Sequence, residues 1–239
     1  MAATPSHSGT DDALSRTSIV VPAFNEADVI GSVLEELTTL PCDVIVVDDG
    51  SADGTHAVCL AHPVHVLRHA CNLGQGAALK TGMMYALAAL HPDHVVTFDA
   101  DGQHRCSDVE GLVQALQGGK YDVALGSRFV RAQDAASVPR GRRLLLRVAT
   151  LFTRLSTGMR VSDTHNGLRA FTADAAAKLD LKHSGMAHAS EILSLIRRHH
   201  LRWCEVPVSI DYGEYSRGKG QSGLGAVDIV WNLIMERLR

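Results

Sequence analysis

Two aspartates stand one residue apart in the run TFDADGQH (97–104). Like charges that close raise each other's cost, so a cation is the expected third party. Three readings of Asp99-Ala100-Asp101-Gly102-Gln103 compete. One is a plain polar turn after a strand. A second is a calcium loop, with Asp99, Asp101, Gln103 and Glu110 as its first, third, fifth and twelfth positions. That reading fails, because the sixth position needs glycine and holds His104, and a strand-like run rather than a helix leads in. The third is a divalent cation, Mg²⁺ or Mn²⁺, held by hard oxygens with positions left open for a substrate's phosphates. Gln103 would add a neutral oxygen. On these residues alone the first and third readings both stand.

The elements that must carry this pair follow from apolar patterning. SIVVPAF (18–24) reads as a buried strand, and Val29, Ile30, Val33, Leu34 and Leu37 share one helical face behind Asn25 as a candidate cap. Further strands are expected at DVIVVD (43–48), HVLRH (65–69), HVVTFDAD (94–101), YDVALGSRF (121–129) and WCEVPVSI (203–210). NLGQGAALKTGMMYALAAL (72–90) is a glycine-rich turn feeding a helix, and Ser107 with Glu110 forms a capping box for the next one. Strands alternating with helices predict an α/β fold with a mainly parallel central sheet and helices on both faces. Such sheets do their chemistry at the carboxyl ends of the strands, where the polar clusters 48–51, 99–103 and 126–128 all fall.

The 239 residues suit one large α/β domain, and 46% hydrophobic content is enough for its core. A net charge of -3 gives no pull toward nucleic acid. The five cysteines (42, 59, 71, 106, 204) form no CxxC pair and fit reduced thiols in a cytosol. No apolar run reaches membrane-spanning length. Residues 1–16 read as a flexible polar leader, 17–223 as the catalytic domain (17–130 for the nucleotide-sugar, 131–223 for the acceptor), and 224–239 as a C-terminal amphipathic helix.

The chain resembles the family 2 glycosyltransferases, which have the GT-A nucleotide-diphospho-sugar transferase fold. The stretches that carry the likeness are VPAFNE (21–26), VVDDGSADGT (46–55), NLGQGAALKTG (72–82), DADGQH (99–104), GSRF (126–129) and DTHNGLRAF (163–171), in the family's order and spacing. Within the family it looks most like the polyprenyl- and dolichyl-phosphate sugar synthases and related bacterial polysaccharide enzymes. The resemblance implies that Pro22, Ala23, Phe24, Glu26, Val46 and Asp48 border the nucleotide, that Asp99 and Asp101 are the DxD motif with Ala100 giving backbone, and that Gln103 is a third metal ligand. It sends Arg128 to the phosphates or the sugar, with Arg217 and Lys219 of the glycine-rich loop 212–223 closing over the diphosphate. Lys80 either reaches the donor or is a solvated helix lysine. Many members carry an Asp two residues before Glu191; here that position is Ala189. The usual base is thus missing, which fits a phosphate acceptor, while Glu191, Asp163 or His188 stays available for a hydroxyl acceptor.

The expected activity is inverting transfer from a nucleotide-diphosphate sugar to a lipid phosphate in cell-envelope polysaccharide or glycoconjugate synthesis. A transferase acting on a sugar hydroxyl and a non-catalytic sugar-nucleotide-binding module are the alternatives. Residues 135–162 hold no acidic side chain but carry Arg140, Arg142, Arg143, Arg147, Arg154 and Arg160 among leucines. Their expected partner is an anionic membrane surface, with the enzyme cytoplasmic and peripheral at the inner face. Residues 226–238 offer a second anchor, a dock for a small membrane partner, or a homodimer interface.

Overall fold

Along TSIVVPA and DVIVVD, successive side chains fall on opposite faces of a sheet, and both faces are apolar. Ile19, Val21, Val44 and Val46 enter one hydrophobic layer, while Val20, Ile45 and Val47 enter the other. That is the period-2 geometry of a strand buried on both sides. The computed structural model describes residues 7–130, 158–164, 166–185 and 187–211. In it these runs form β1 (Thr17–Ala23) and β2 (Asp43–Asp48), which pair in parallel with Ala23 opposite Asp48.

Between them lies α2 (Ile30–Leu37), and before them α1 (His7–Ser15). There follow α3 (Thr55–Leu60), β3 (His65–Arg68), α4 (Gln75–Tyr85, extended by a π turn to Leu90), β4 (His94–Thr97), α5 (Ser107–Leu116), β5 (Val123–Ser127), β6 (Arg169–Thr172), α6 (Ala173–Ala177), α7 (His188–Arg198) and β7 (Trp203–Pro207). The sheet order is β3-β2-β1-β4-β6-β5-β7. All pairings are parallel except those of β6, which runs antiparallel to both β4 and β5.

Ile30, Val33, Leu34 and Leu37 of α2 and Val109, Leu112, Val113 and Leu116 of α5 cover one face. Leu79 and Met83 of α4 and Ile192, Leu193, Leu195 and Ile196 of α7 cover the other. Each such fully buried side chain stabilises the fold by about 1.5–3 kcal/mol. The expected mainly parallel sheet with helices on both faces is therefore present.

Some local readings change. The leader is not unstructured throughout, because Leu14 of α1 is buried in the core and draws the helix onto α5. Asn25 does not cap α2. It sits at φ 55°, takes the Ala52 N–H on its side chain and donates its own N–H to Ser51 Oγ, so it ties the β1 loop to the β2 loop. Ser107 is the first residue of α5 and makes no side-chain cap. Strand β4 ends at Thr97, which leaves the aspartate pair in the loop beyond it. Among the described residues no helix is long and apolar enough to cross a membrane.

Candidate active site

Three parallel strands end side by side at the edge where β1, β2 and β4 open into loops. Phe98 continues the pairing by donating its N–H to Val20 O, which carries Asp99 alongside Pro22 and Ala23. The antiparallel β6 brings its amino end to the same edge. Thr97 Oγ1 donates to Gly167 O at 2.7 Å, and a Cβ at residue 167 would run into the Asp99 carboxylate. Only glycine allows this approach.

Asp99 is held on both oxygens. Gln75 Nε2 donates to Oδ1 at 2.9 Å, and His104 Nε2 meets Oδ2 at 3.1 Å. Burial pushes its carboxyl up, but the His104 hydrogen bond and the charges of His104, His188 and Arg169 outweigh it and hold the group below the usual range. Asp101 goes the other way. Burial and then the Asp99 charge push it up to about 6, although it accepts the Gln103 N–H at 3.1 Å. Two neighbouring carboxylates whose affinities for a proton are driven apart are a common mark of a functional site. Among the described residues no group of three or more His, Cys, Asp or Glu side chains could hold a metal. The protein's own carboxylates here number two, which suits a cation completed by substrate oxygens.

On the other side of β1, Asp48 is fully buried at the end of β2. Its Oδ1 accepts the Ser51 N–H at 2.9 Å. Its Oδ2 lies 3.1 Å from Arg68 Nε and 3.4 Å from His56 Nδ1, yet neither is aligned to donate, so Oδ2 has charge neighbours and no hydrogen bond. Phe24, one residue beyond the Ala23 that pairs with Asp48, is 42% exposed, whereas Ala23 and Pro22 are buried and Val46 lies wholly in the core. The Glu26 N–H donates to Thr55 Oγ1, and the Glu26 charge reaches Asp101.

Arg128 and Asp163 meet in a buried pair, Nε to Oδ2 at 2.6 Å and Nη2 to Oδ1 at 2.7 Å, with side chains 6% and 1% exposed. The guanidinium that the family likeness sends to phosphates is thus engaged by the carboxylate proposed as a base. Behind them Arg169 donates to the carbonyls of Asn166 and Thr164, and burial pushes it down to about 10, still a cation at neutral pH. Glu191 accepts the N–H groups of Lys182 and His183 on its two oxygens, so it holds the loop before α7. His188 donates Nδ1–H to Gly185 O, which leaves Nε2 as the basic nitrogen, and burial lowers its pKa. Ala189 is buried. Lys80 pairs with Asp180 on the surface at 2.7 Å. Arg217, Lys219, residues 131–157 and the terminal 224–239 lie outside the described residues.

Gln75, His104, Arg169 and Asp49 escaped the sequence reading as site residues. Asp49 accepts the N–H groups of Leu73 and Gly74 and bonds His69, so the second Asp of DDGS builds the glycine-rich loop. The signals were there, since Gln75 and Asp49 both sit inside stretches quoted above.

The family model "Glycosyl transferase family 2" matches residues 18–180. A UDP-N-acetylglucosamine–dolichyl-phosphate N-acetylglucosaminyltransferase of Methanococcus voltae is 29% identical over 240 residues, spanning 92% of this chain and 95% of that one. An undecaprenyl-phosphate mannosyltransferase of Micrococcus luteus is 29% identical over 232 residues, 91% of this chain and 94% of the other. The crystal structure of a mannosyl-3-phosphoglycerate synthase from Rubrobacter xylanophilus has the same fold, with a TM-score of 0.59 at 17% identity over 92% of this chain and 74% of that one.

Proposed function

Because the chain belongs to glycosyl transferase family 2, we propose that it moves a sugar from a nucleotide-diphosphate sugar to a lipid-linked phosphate, with inversion at the anomeric carbon. The two relatives differ in the sugar their names carry and agree in the acceptor class, dolichyl or undecaprenyl phosphate. The acceptor is therefore the better-supported half of the reading, and the sugar stays open.

The observation that carries it is the state of the carboxylates on the acceptor side. A hydroxyl nucleophile needs a base to take its proton. Ala189 offers none, Glu191 spends its two oxygens on backbone N–H groups, and Asp163 is bound to Arg128, so of the three candidate bases only the buried His188, through Nε2, keeps a basic atom. A phosphate oxygen arrives ionised and needs no base. It forms the bond to the anomeric carbon as the bond to the nucleoside diphosphate breaks, and that diphosphate leaves.

Asp48 and Phe24 border the base, and Asp99 and Asp101 face the diphosphate. The donor set fits a divalent cation: two crowded carboxylates in one loop, to which the Gln103 amide is proposed to add an oxygen. Such a cation, Mg²⁺ or Mn²⁺, would neutralise charge building on the departing diphosphate. Arg217 and Lys219 are proposed to add to that neutralisation.

Two experiments test this reading. A panel of nucleotide sugars offered with a prenyl phosphate, the matching prenol and a water-soluble sugar should give product with the phosphate alone; equal transfer to prenol or sugar would return the reaction to a hydroxyl acceptor and a protein base. Separately, the arginine-rich 135–162 segment is proposed to hold the enzyme on an anionic surface, at about 1 kcal/mol per cation. The protein should float with phosphatidylglycerol vesicles at low salt and release at high salt, and the variant with Arg142, Arg143 and Arg147 all changed to Gln should stay in solution. If wild type ignores these vesicles, the peripheral localisation is wrong.

A further inference from the structure

The two side chains on Asp99 do different things. His104 is a near neighbour in the same loop, whereas Gln75 reaches across from the start of α4. A carboxylate only accepts, so the Gln75 amide must turn its nitrogen to Oδ1. With one donor on each oxygen, the carboxylate cannot rotate without breaking both bonds. Its side chain is 28% exposed, so its remaining lone pairs have an open side.

Gln75 is itself fixed. Just before it, Leu73 and Gly74 donate their N–H groups to Asp49 at 2.9 and 2.7 Å. Just after it, Gly76 donates to Ser184 O at 2.7 Å. Gly74 has φ 98°, and a Cβ there would meet Ser184 O. Asp49 is braced by His69 Nδ1 at 2.7 Å, and His69 Nε2 meets Thr81 Oγ1 at 2.9 Å. The chain of contacts runs from β2 through the glycine-rich loop to one oxygen of Asp99.

We infer that Gln75 is a positioning residue, whose amide sets the orientation of the Asp99 carboxylate toward the divalent cation. The inference rests on the cation reading above. Partners one bond removed from a ligand orient it before the metal arrives, so the ordering cost falls on folding rather than on binding, and losing one typically weakens metal affinity about 10–100-fold. Gln75→Met keeps the length of the side chain and removes the donor, and Gln75→Ala removes both.

The test is a titration of the whole protein with Mn²⁺ alone, followed by the loss of the free-ion electron paramagnetic resonance signal. Thermal unfolding of the metal-free proteins runs in parallel. Wild type should bind Mn²⁺, and Gln75→Met should bind it about tenfold more weakly or worse while staying folded at the temperature of the titration. If wild type binds Mn²⁺ and Gln75→Met binds it equally well, Gln75 only packs and the inference fails by itself. If wild type takes up no Mn²⁺ either alone or with a nucleoside diphosphate added, the cation reading fails and this role falls with it.

Discussion

Asp101→Ala is expected to cut turnover by about a thousandfold or more while leaving the fold as stable as wild type. The first half follows from where charge builds. A leaving diphosphate gains negative charge as the glycosidic bond breaks, and a bound divalent cation is worth several kcal/mol to that step. At about 1.4 kcal/mol per factor of ten, losing about 4 kcal/mol costs three decades. The second half follows from what Asp101 does in the metal-free protein. Burial and the neighbouring Asp99 push its carboxyl up to about 6, so its charge is carried there at a cost. Its hydrogen bond from the Gln103 N–H is to a loop, not to the core. Removing it relieves repulsion and strips away little packing. Asp99→Ala differs, because it also frees Gln75 and His104 and should lower the unfolding midpoint as well. Single-turnover rates with a nucleotide sugar, beside thermal unfolding of the chelated proteins, check both statements. Activity within about tenfold of wild type in Asp101→Ala or in EDTA would remove the cation from the reaction.

The aspartate pair was legible because its information is local: two carboxylates after an apolar run need no tertiary contact to be noticed. The first five strands were legible for a related reason, since β-branched runs such as VIVV cannot satisfy a helix face and a solvent face together. Strand β6 was not. RAFT is four residues long and opens on arginine, and nothing in it says that it runs antiparallel. Yet its direction is what brings Gly167 against Asp99. The contacts that orient the pair were hidden in the same way. Gln75 and Asp99 are 24 residues apart, and only the packing of the glycine-rich loop on Ser184 joins them. Asn25 and Ser107 show the opposite failure. Both are good helix caps by type, but Asn25 was captured by the neighbouring β2 loop and α5 starts one residue earlier in the turn than a cap at Ser107 requires. The same holds for Arg128, whose type suggests phosphate and whose neighbour is a carboxylate 35 residues on.

That neighbour carries the largest expected effect on stability. Asp163→Ala should cost about 3–5 kcal/mol, because it leaves the Arg128 guanidinium in the interior without the carboxylate that compensates it. Asp163 takes three of that residue's donors, Nε at 2.6 Å, Nη2 at 2.7 Å and the backbone N–H at 3.2 Å, from a position 1% exposed. Its own loop is pinned through Ser162, whose N–H and hydroxyl both donate to Glu205 Oε1 on β7 at 2.6 and 2.7 Å. The Asp163 charge also favours the cationic form of Arg169. Asp163 is thus the main partner of Arg128 and, after Asp99, a second one for Arg169. Replacing both partners, Arg128→Met with Asp163→Leu, should cost much less than Asp163→Ala alone, since the Arg128 charge is removed with its partner and Arg169 keeps the Asp99 charge. Urea unfolding of wild type, Arg128→Met, Asp163→Leu and the double variant gives the coupling directly. A cost below about 1 kcal/mol for Asp163→Ala would mean that the pair is solvated and worth what a surface ion pair is worth. Arg128 would then be free to turn to a phosphate, and the case against Asp163 as a base would weaken with it. A large cost with strong coupling keeps Asp163 in the framework and leaves the acceptor to bring its own charge to the reaction.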